Sequence, residues 1–175
     1  MILIINLCKE KLHYLEFVKP IEDILEGDFF TKYYLELTEE DFDGCDKVII
    51  CGTSLKDNSF LEDVEKFNWI KNFEKPLLGI CAGFQLIGLV FGGGLKKNLE
   101  IGYFHENFDK EFLELEGDLE VYHLHNNYVK FNDDFEVFSE GKVAQAVKHK
   151  EKQIYGTLFH PEVRNREMIL NFINL

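Results

Sequence analysis

The sequence predicts an α/β fold in which a mostly parallel central sheet carries helices on both faces and is extended by antiparallel strands. Three observations carry that prediction. The first half alternates short apolar, β-branched runs with segments of helical spacing, the order that parallel pairing requires. The opening run, Met1 to Leu7, is continuously apolar, as strands buried on both faces are. After Leu95 the apolar positions recur with period two between turn residues, which marks antiparallel strands. A length of 175 residues suits one domain, expected over residues 1–175.

The elements follow in order. Leu12, Leu15, Phe17, Val18, Ile21, Ile24 and Leu25 recur at helical spacing up to Gly27, with Pro20 expected to kink or split the helix. Phe30 to Leu37 reads as a second strand, and the acids Glu39, Glu40, Asp41, Asp43 and Asp46 as a solvated loop or short helix. Lys47 to Cys51 is a third strand, ending at Gly52. Apolar positions from Phe60 to Phe73, three or four apart, predict an amphipathic helix. Leu77 to Ile80 is a fourth strand, and Phe84 to Phe91 a helix stopped by Gly92-Gly93-Gly94. Leu119 to Leu124, Phe135 to Phe138, Val143 to Val147 and Gln153 to Phe159 read as short antiparallel strands. A closing helix, Arg164 to Asn174, has Met168, Ile169, Phe172 and Ile173 on one face.

Composition narrows the function. Hydrophobic residues make up 46% of the chain, enough for a sizeable core. Nineteen Lys and Arg stand against 32 Asp and Glu, a net charge of −13, which disfavours nucleic-acid phosphate and anionic membranes as partners. No apolar run approaches the ~18 residues of a membrane helix, and no basic segment precedes the first run. Cys8, Cys45, Cys51 and Cys81 form no C-x-x-C pair, and a reducing, cytoplasmic setting is expected.

Gly79-Ile80-Cys81-Ala82-Gly83, between a buried strand and a helix, has the form of a nucleophile elbow. Such a turn holds the nucleophile strained with its side chain exposed, and flanking glycines admit close packing. The helix N-terminus favours thiolate over thiol, so Cys81 is expected to be reactive. A cysteine nucleophile needs a base, and the base needs an acceptor to orient it. His160 and Glu162, in Gly156-Thr157-Leu158-Phe159-His160-Pro161-Glu162, offer both, with Pro161 stiffening their placement.

These two segments resemble the class I (triad) glutamine amidotransferases. Gly79 to Gln85 matches the family's G-x-C-x-G-x-Q segment and Gly156 to Glu162 its G-x-Q-F-H-P-E segment, in the right order. The likeness extends to the third strand, to Glu100-Ile101-Gly102 and to His125-Asn126-Asn127-Tyr128-Val129, spanning essentially the whole chain. It implies a three-layer flavodoxin-like sandwich and hydrolysis of the glutamine side-chain amide to glutamate and ammonia. Cys81 would be the nucleophile, His160 the base and Glu162 its orienting carboxylate. The oxyanion hole would fall to Ala82 and the Gly52-Thr53-Ser54 turn, and the head of glutamine to Gln85, His125, Asn126 and Asn127. For the last three residues a solvated, Asn-rich turn is the competing expectation.

No cofactor is implied. His123 and His125 form His-x-His, but without a third ligand at metal spacing along the chain no metal site is expected. Glu100-Ile101-Gly102 and the motif order most resemble the stand-alone glutaminase subunit of two-chain GMP synthases, as found in archaea. L-glutamine and an ATP-dependent synthase subunit on a separate chain are thus the partners implied. A self-sufficient γ-glutamyl hydrolase and a non-catalytic binding or regulatory subunit are the alternatives. Departures from the family pattern are Ala82, Phe84 and Leu158, and Gly52-Thr53-Ser54 where Gly-Gly-Pro is common; threonine takes a positive φ less cheaply than glycine.

Overall fold

A computed structural model describes residues 1–175. Strands β1 (Ile2–Asn6), β2 (Phe29–Tyr33), β3 (Lys47–Ile50), β4 (Leu77–Ile80), β7 (Phe135–Val137), β8 (Ala146–His149) and β9 (Ile154–Thr157) form one seven-stranded sheet of order β2-β1-β3-β4-β9-β8-β7. The first five strands in that order are parallel, and β8 and β7 add antiparallel pairs at one edge. β5 (Gly94–Phe112) and β6 (Leu115–Lys130) form a separate two-stranded ribbon.

The alternation along β1 explains the layering. Ile2 and Ile4 face a core built with Phe17, Val18, Ile21, Met168, Ile169 and Phe172, from helices α1 (Lys11–Phe17), α2 (Lys19–Glu22) and α5 (Arg166–Ile173). Leu3 and Ile5 face a second core with Phe60, Phe67, Phe84, Leu86 and Ile87, from the Ser59–Asn72 segment and α4 (Ala82–Val90). A strand that must be apolar on both faces is why Met1 to Leu7 shows no polar alternation. A further short helix, α3 (Glu39–Asp43), starts with a capping box between Thr38 and Asp41.

The fold class is as the sequence predicts, with local corrections. Pro20 splits the first helix, sitting in the first turn of α2, where a missing N–H costs nothing. The second strand stops at Tyr33 and gives way to a 3-10 turn over Tyr34–Glu36. Ser59–Asn72 is 3-10 and not α-helical, interrupted at Asp63. The Gln153 to Phe159 segment pairs parallel with β4 as well as antiparallel with β8. Leu119 to Leu124 is the middle of a 16-residue strand whose 19-residue partner, β5, carries no clear period-two signal.

Candidate active site

Cys81 lies between β4 and α4 with φ 50° and ψ −95°, a conformation costly for a residue with a Cβ. Close packing on both sides holds the turn. A methyl group on Gly79 would meet Ile87 Cδ1 at 2.5 Å, and one on Gly83 would meet the Ile50 carbonyl oxygen at 2.4 Å. The elbow glycines therefore serve close approach between α4 and the strands beneath it. Cys81 donates its thiol to the Leu124 carbonyl of β6 at 3.6 Å.

His160 and Glu162 follow β9, which pairs with β4, so the sheet itself brings His160 to the Cys81 end of the strands, where His160 and Cys81 both flank Gly52. His160 Nδ1 and Glu162 Oε1 are 2.7 Å apart, and both residues are buried. The backbone of His160 is fixed by its amide donating to the Tyr122 carbonyl at 2.9 Å. Its other ring nitrogen, Nε2, has no hydrogen-bond partner. Burial alone would depress this imidazole, but the Glu162 carboxylate, with Cys81 on the other side, outweighs it and holds His160 well above the ordinary histidine value. The remaining cysteines are set apart, since burial pushes Cys8 up to about 11, Cys45 upward and Cys51 well above the usual thiol range.

Gly52 closes the constellation. A methyl there would stand 2.7 Å from His160 Cε1 and 3.4 Å from Cys81 Cβ, so only glycine fits. Thr53 has no positive φ, and the turn asks nothing of it that threonine cannot give. Its hydroxyl donates to Asp57 Oδ2 at 3.1 Å. The amides of Gly52 and Thr53 donate to no other group, and that of Ala82, at the first position of α4, has no partner within the helix.

Gln85 is buried on α4 and donates its amide to the Asn127 carbonyl at 3.3 Å. Asn126 donates to the Leu55 carbonyl at 3.0 Å, and Asn127 to Asn126 Oδ1 at 3.0 Å. His125, Asn126 and Asn127 therefore lie in mid-strand, two of them fully buried, and do not form a solvated turn. Together with Thr53, Ser54, Cys81, Ala82, Gln85 and Leu124, His125 and Asn126 line a pocket of about 10 Å³. That is about the space of one water. A larger cleft of about 420 Å³, at the ends of β1 and β2, holds none of Cys81, His160 and Glu162.

The hairpin also joins residues that sequence spacing keeps apart. Glu100 is opposite His125 in the register of the ribbon. Glu100 Oε2 is 2.9 Å from His123 Nδ1 and 2.8 Å from His125 Nε2. Burial depresses His125 to about 4 against the pull of the Glu100 carboxylate. The third donor missing from the His-x-His segment thus comes from the facing strand, and only the pairing of β5 with β6 could have revealed it.

The family model of the glutamine amidotransferase class-I family matches residues 28–174. The chain is 36% identical over 105 residues to a subunit of the glutamine-hydrolyzing GMP synthase of Methanobrevibacter smithii, covering 55% of each chain. It is 35% identical over 129 residues to the subunit of the same name from Pyrococcus abyssi, covering 66% of this chain and 64% of that one. These matches span between about half and two thirds of the relatives' own length. A solved structure from Thermoplasma acidophilum, provisionally assigned to the same GMP synthase subunit, superposes with a TM-score of 0.85 at 25% identity, over 99% of this chain and 92% of that one. A Thermotoga maritima glutamine amidotransferase shares the fold, with a TM-score of 0.69 at 20% identity. With all but its first 27 residues and its last matched by the family model, the chain belongs to the class-I glutamine amidotransferase family.

Proposed function

We propose that this chain hydrolyses the side-chain amide of L-glutamine to glutamate and ammonia through a thioester on Cys81, and supplies the ammonia to a separate synthase subunit of the GMP synthase kind. The observation that carries the reading is the strained Cys81 turn beside a buried His160–Glu162 pair 2.7 Å apart. Cys81 sulfur attacks the amide carbon as its thiol proton passes from the Leu124 carbonyl side to His160 Nε2, while the His160 Nδ1–H is held by Glu162. The oxyanion accepts from the undonated amides of Ala82 and of the Gly52–Thr53 turn. The C–N bond breaks as His160 gives its proton to the departing nitrogen, releasing ammonia. A water that loses its proton to His160 then attacks the thioester, and glutamate leaves as the sulfur regains its resting form.

Gln85, His125, Asn126 and Asn127 line or border the pocket and are assigned to the head of glutamine. The pocket's size favours a site that opens with a docked synthase over a self-sufficient hydrolase, which would need room for varied γ-glutamyl groups. The intact Cys81, His160 and Glu162 speak against a purely binding subunit. The relatives' names, which make each of them one subunit of a GMP synthase, support a two-chain enzyme. The experiment is reaction with a glutamine-mimicking electrophile, with and without the cognate synthase subunit, followed by peptide mass spectrometry. An adduct on Cys81 that free glutamine blocks is expected; its absence in both conditions overturns the assignment.

A further inference from the structure

The geometry points to a divalent transition-metal site of the zinc class on the β5–β6 ribbon, with Glu100 Oε2, His123 Nδ1 and His125 Nε2 as its three protein ligands. The site shares His125 with the wall of the Cys81 pocket, but it is defined by the Glu100–His123–His125 cluster and not by the proposed glutamine chemistry. The three donor atoms lie within 4.8 Å of one another. Their separations are 2.9 Å for His123–Glu100, 2.8 Å for His125–Glu100 and 3.3 Å between the two imidazoles. A tetrahedral zinc with bonds near 2.0–2.1 Å sets its ligand atoms roughly 3.3 Å apart, so the cluster needs to widen by only about half an ångström. Two imidazoles, one carboxylate and a fourth position left for water form a donor set suited to zinc and its neighbours in the first transition row. Glu100, partly exposed at the side chain, leaves a route from solvent, whereas both histidines are fully buried.

The hydrogen-bond pattern favours a metal over a simple ion-pair cluster. If both imidazoles give their inner N–H to Glu100, the outer nitrogens, His123 Nε2 and His125 Nδ1, are buried without partners, as they are here. A metal takes the inner lone pairs and moves each proton to the outer nitrogen. His123 Nε2 then has an acceptor at hand, Glu106 Oε1 at 3.3 Å, in the carboxylate–histidine–metal arrangement that fixes an imidazole's tautomer. Gln145 Nε2, 3.1 Å from Glu100 Oε2, orients the carboxylate from its place just before β8. The two histidines flank Leu124, whose carbonyl receives the Cys81 thiol, so a bound ion would also stiffen the wall of the pocket.

The test is titration of the purified chain with Co²⁺, read by visible absorption, and displacement of Co²⁺ by Zn²⁺. One ion per chain is expected, with d–d bands of a nitrogen–oxygen site and no near-ultraviolet thiolate charge-transfer band. The same spectrum is expected in Cys81→Ser. Glu100→Gln and His123→Gln should each weaken binding by about 100-fold or more, and Glu106→Gln by about tenfold. Three results overturn the inference: no binding by the wild-type chain, a thiolate band that vanishes in Cys81→Ser, or unchanged affinity in folded Glu100→Gln. The wild-type spectrum decides the ligand type even if a variant fails to fold.

Discussion

The Leu124 carbonyl stands 3.6 Å from the Cys81 sulfur and accepts its thiol, so strand β6 covers this cysteine. Two residues further along, Asn126 clamps the same strand to the Leu55 carbonyl at 3.0 Å. A pocket of about 10 Å³ results, and the glutamine of the proposed reaction would enter only if β6 and the Thr53–Asn58 loop part. Iodoacetamide, small and uncharged, should therefore alkylate Cys81 slowly in the free chain. Removal of the clamp in Asn126→Ala costs about 1 kcal/mol of closure and should speed alkylation about fivefold. Equal rates in the two proteins would show that this contact does not govern access.

The His160–Glu162 pair predicts a charge on the imidazole that depends on the carboxylate. His160 stands well above the ordinary value because Glu162 and Cys81 outweigh its burial. In Glu162→Gln burial prevails, and the His160 proton, followed by NMR, should be lost below pH ~6.5 where the wild type keeps it. The sign for stability follows. A raised base stabilises the fold below pH ~6.5 and ceases to as pH climbs through the folded value, so the deficit of Glu162→Gln should be largest at low pH. Turnover should remain on the order of tenfold to a hundredfold above that of His160→Ala, because in the proposed mechanism the carboxylate orients the base and does not itself transfer the proton.

Gly52→Ala tests the packing of the site. The added methyl would meet His160 Cε1 at 2.7 Å, and His160 cannot retreat while Tyr122 holds its backbone. A loss of about 1–3 kcal/mol in urea unfolding is expected, with a disproportionate loss of glutaminase activity. A variant that keeps full activity would mean that the imidazole position is not set by this contact.

What the sequence made legible depended on how local the signal was. β1 was readable because Ile2 and Ile4 on one face and Leu3 and Ile5 on the other must all be apolar. The Cys81 turn was readable because Gly79 and Gly83 are demanded by contacts within a few residues or with the adjacent strand. β5 was not, because Lys96, Lys97, Glu106 and Lys110 interrupt any alternation in a ribbon largely exposed on one face. Nor does any residue of β9 encode that β4 lies parallel beside it; strand direction there follows from the whole chain path. The Glu100–His125 pairing depends on an irregular register between Lys97 and Glu100, which spacing along one strand cannot convey.

The loop after β3 owes its shape to Asp57, and acid should undo it. Asp57 Oδ2 accepts from the Lys9 amide at 2.9 Å and the Thr53 hydroxyl at 3.1 Å, while Oδ1 accepts from Ser59 at 2.8 Å. Burial would raise this carboxyl, but those donors outweigh it and hold it below the usual carboxylate range. A depressed acid stabilises the fold above the unfolded value of about 3.9 and loses that contribution as pH falls through the folded one. Asp57→Asn removes the charge and sets its NH₂ against the Ser59 hydroxyl on one side, or against the Lys9 amide and Thr53 hydroxyl on the other, a loss of about 1–3 kcal/mol at neutral pH. Urea melts of the two proteins should therefore differ by a constant amount from pH ~7 down to ~3.9 and converge only below it. A gap that stays constant as pH falls well below ~3.9 would assign the cost to packing alone and remove Asp57 as the electrostatic anchor of the Thr53 turn.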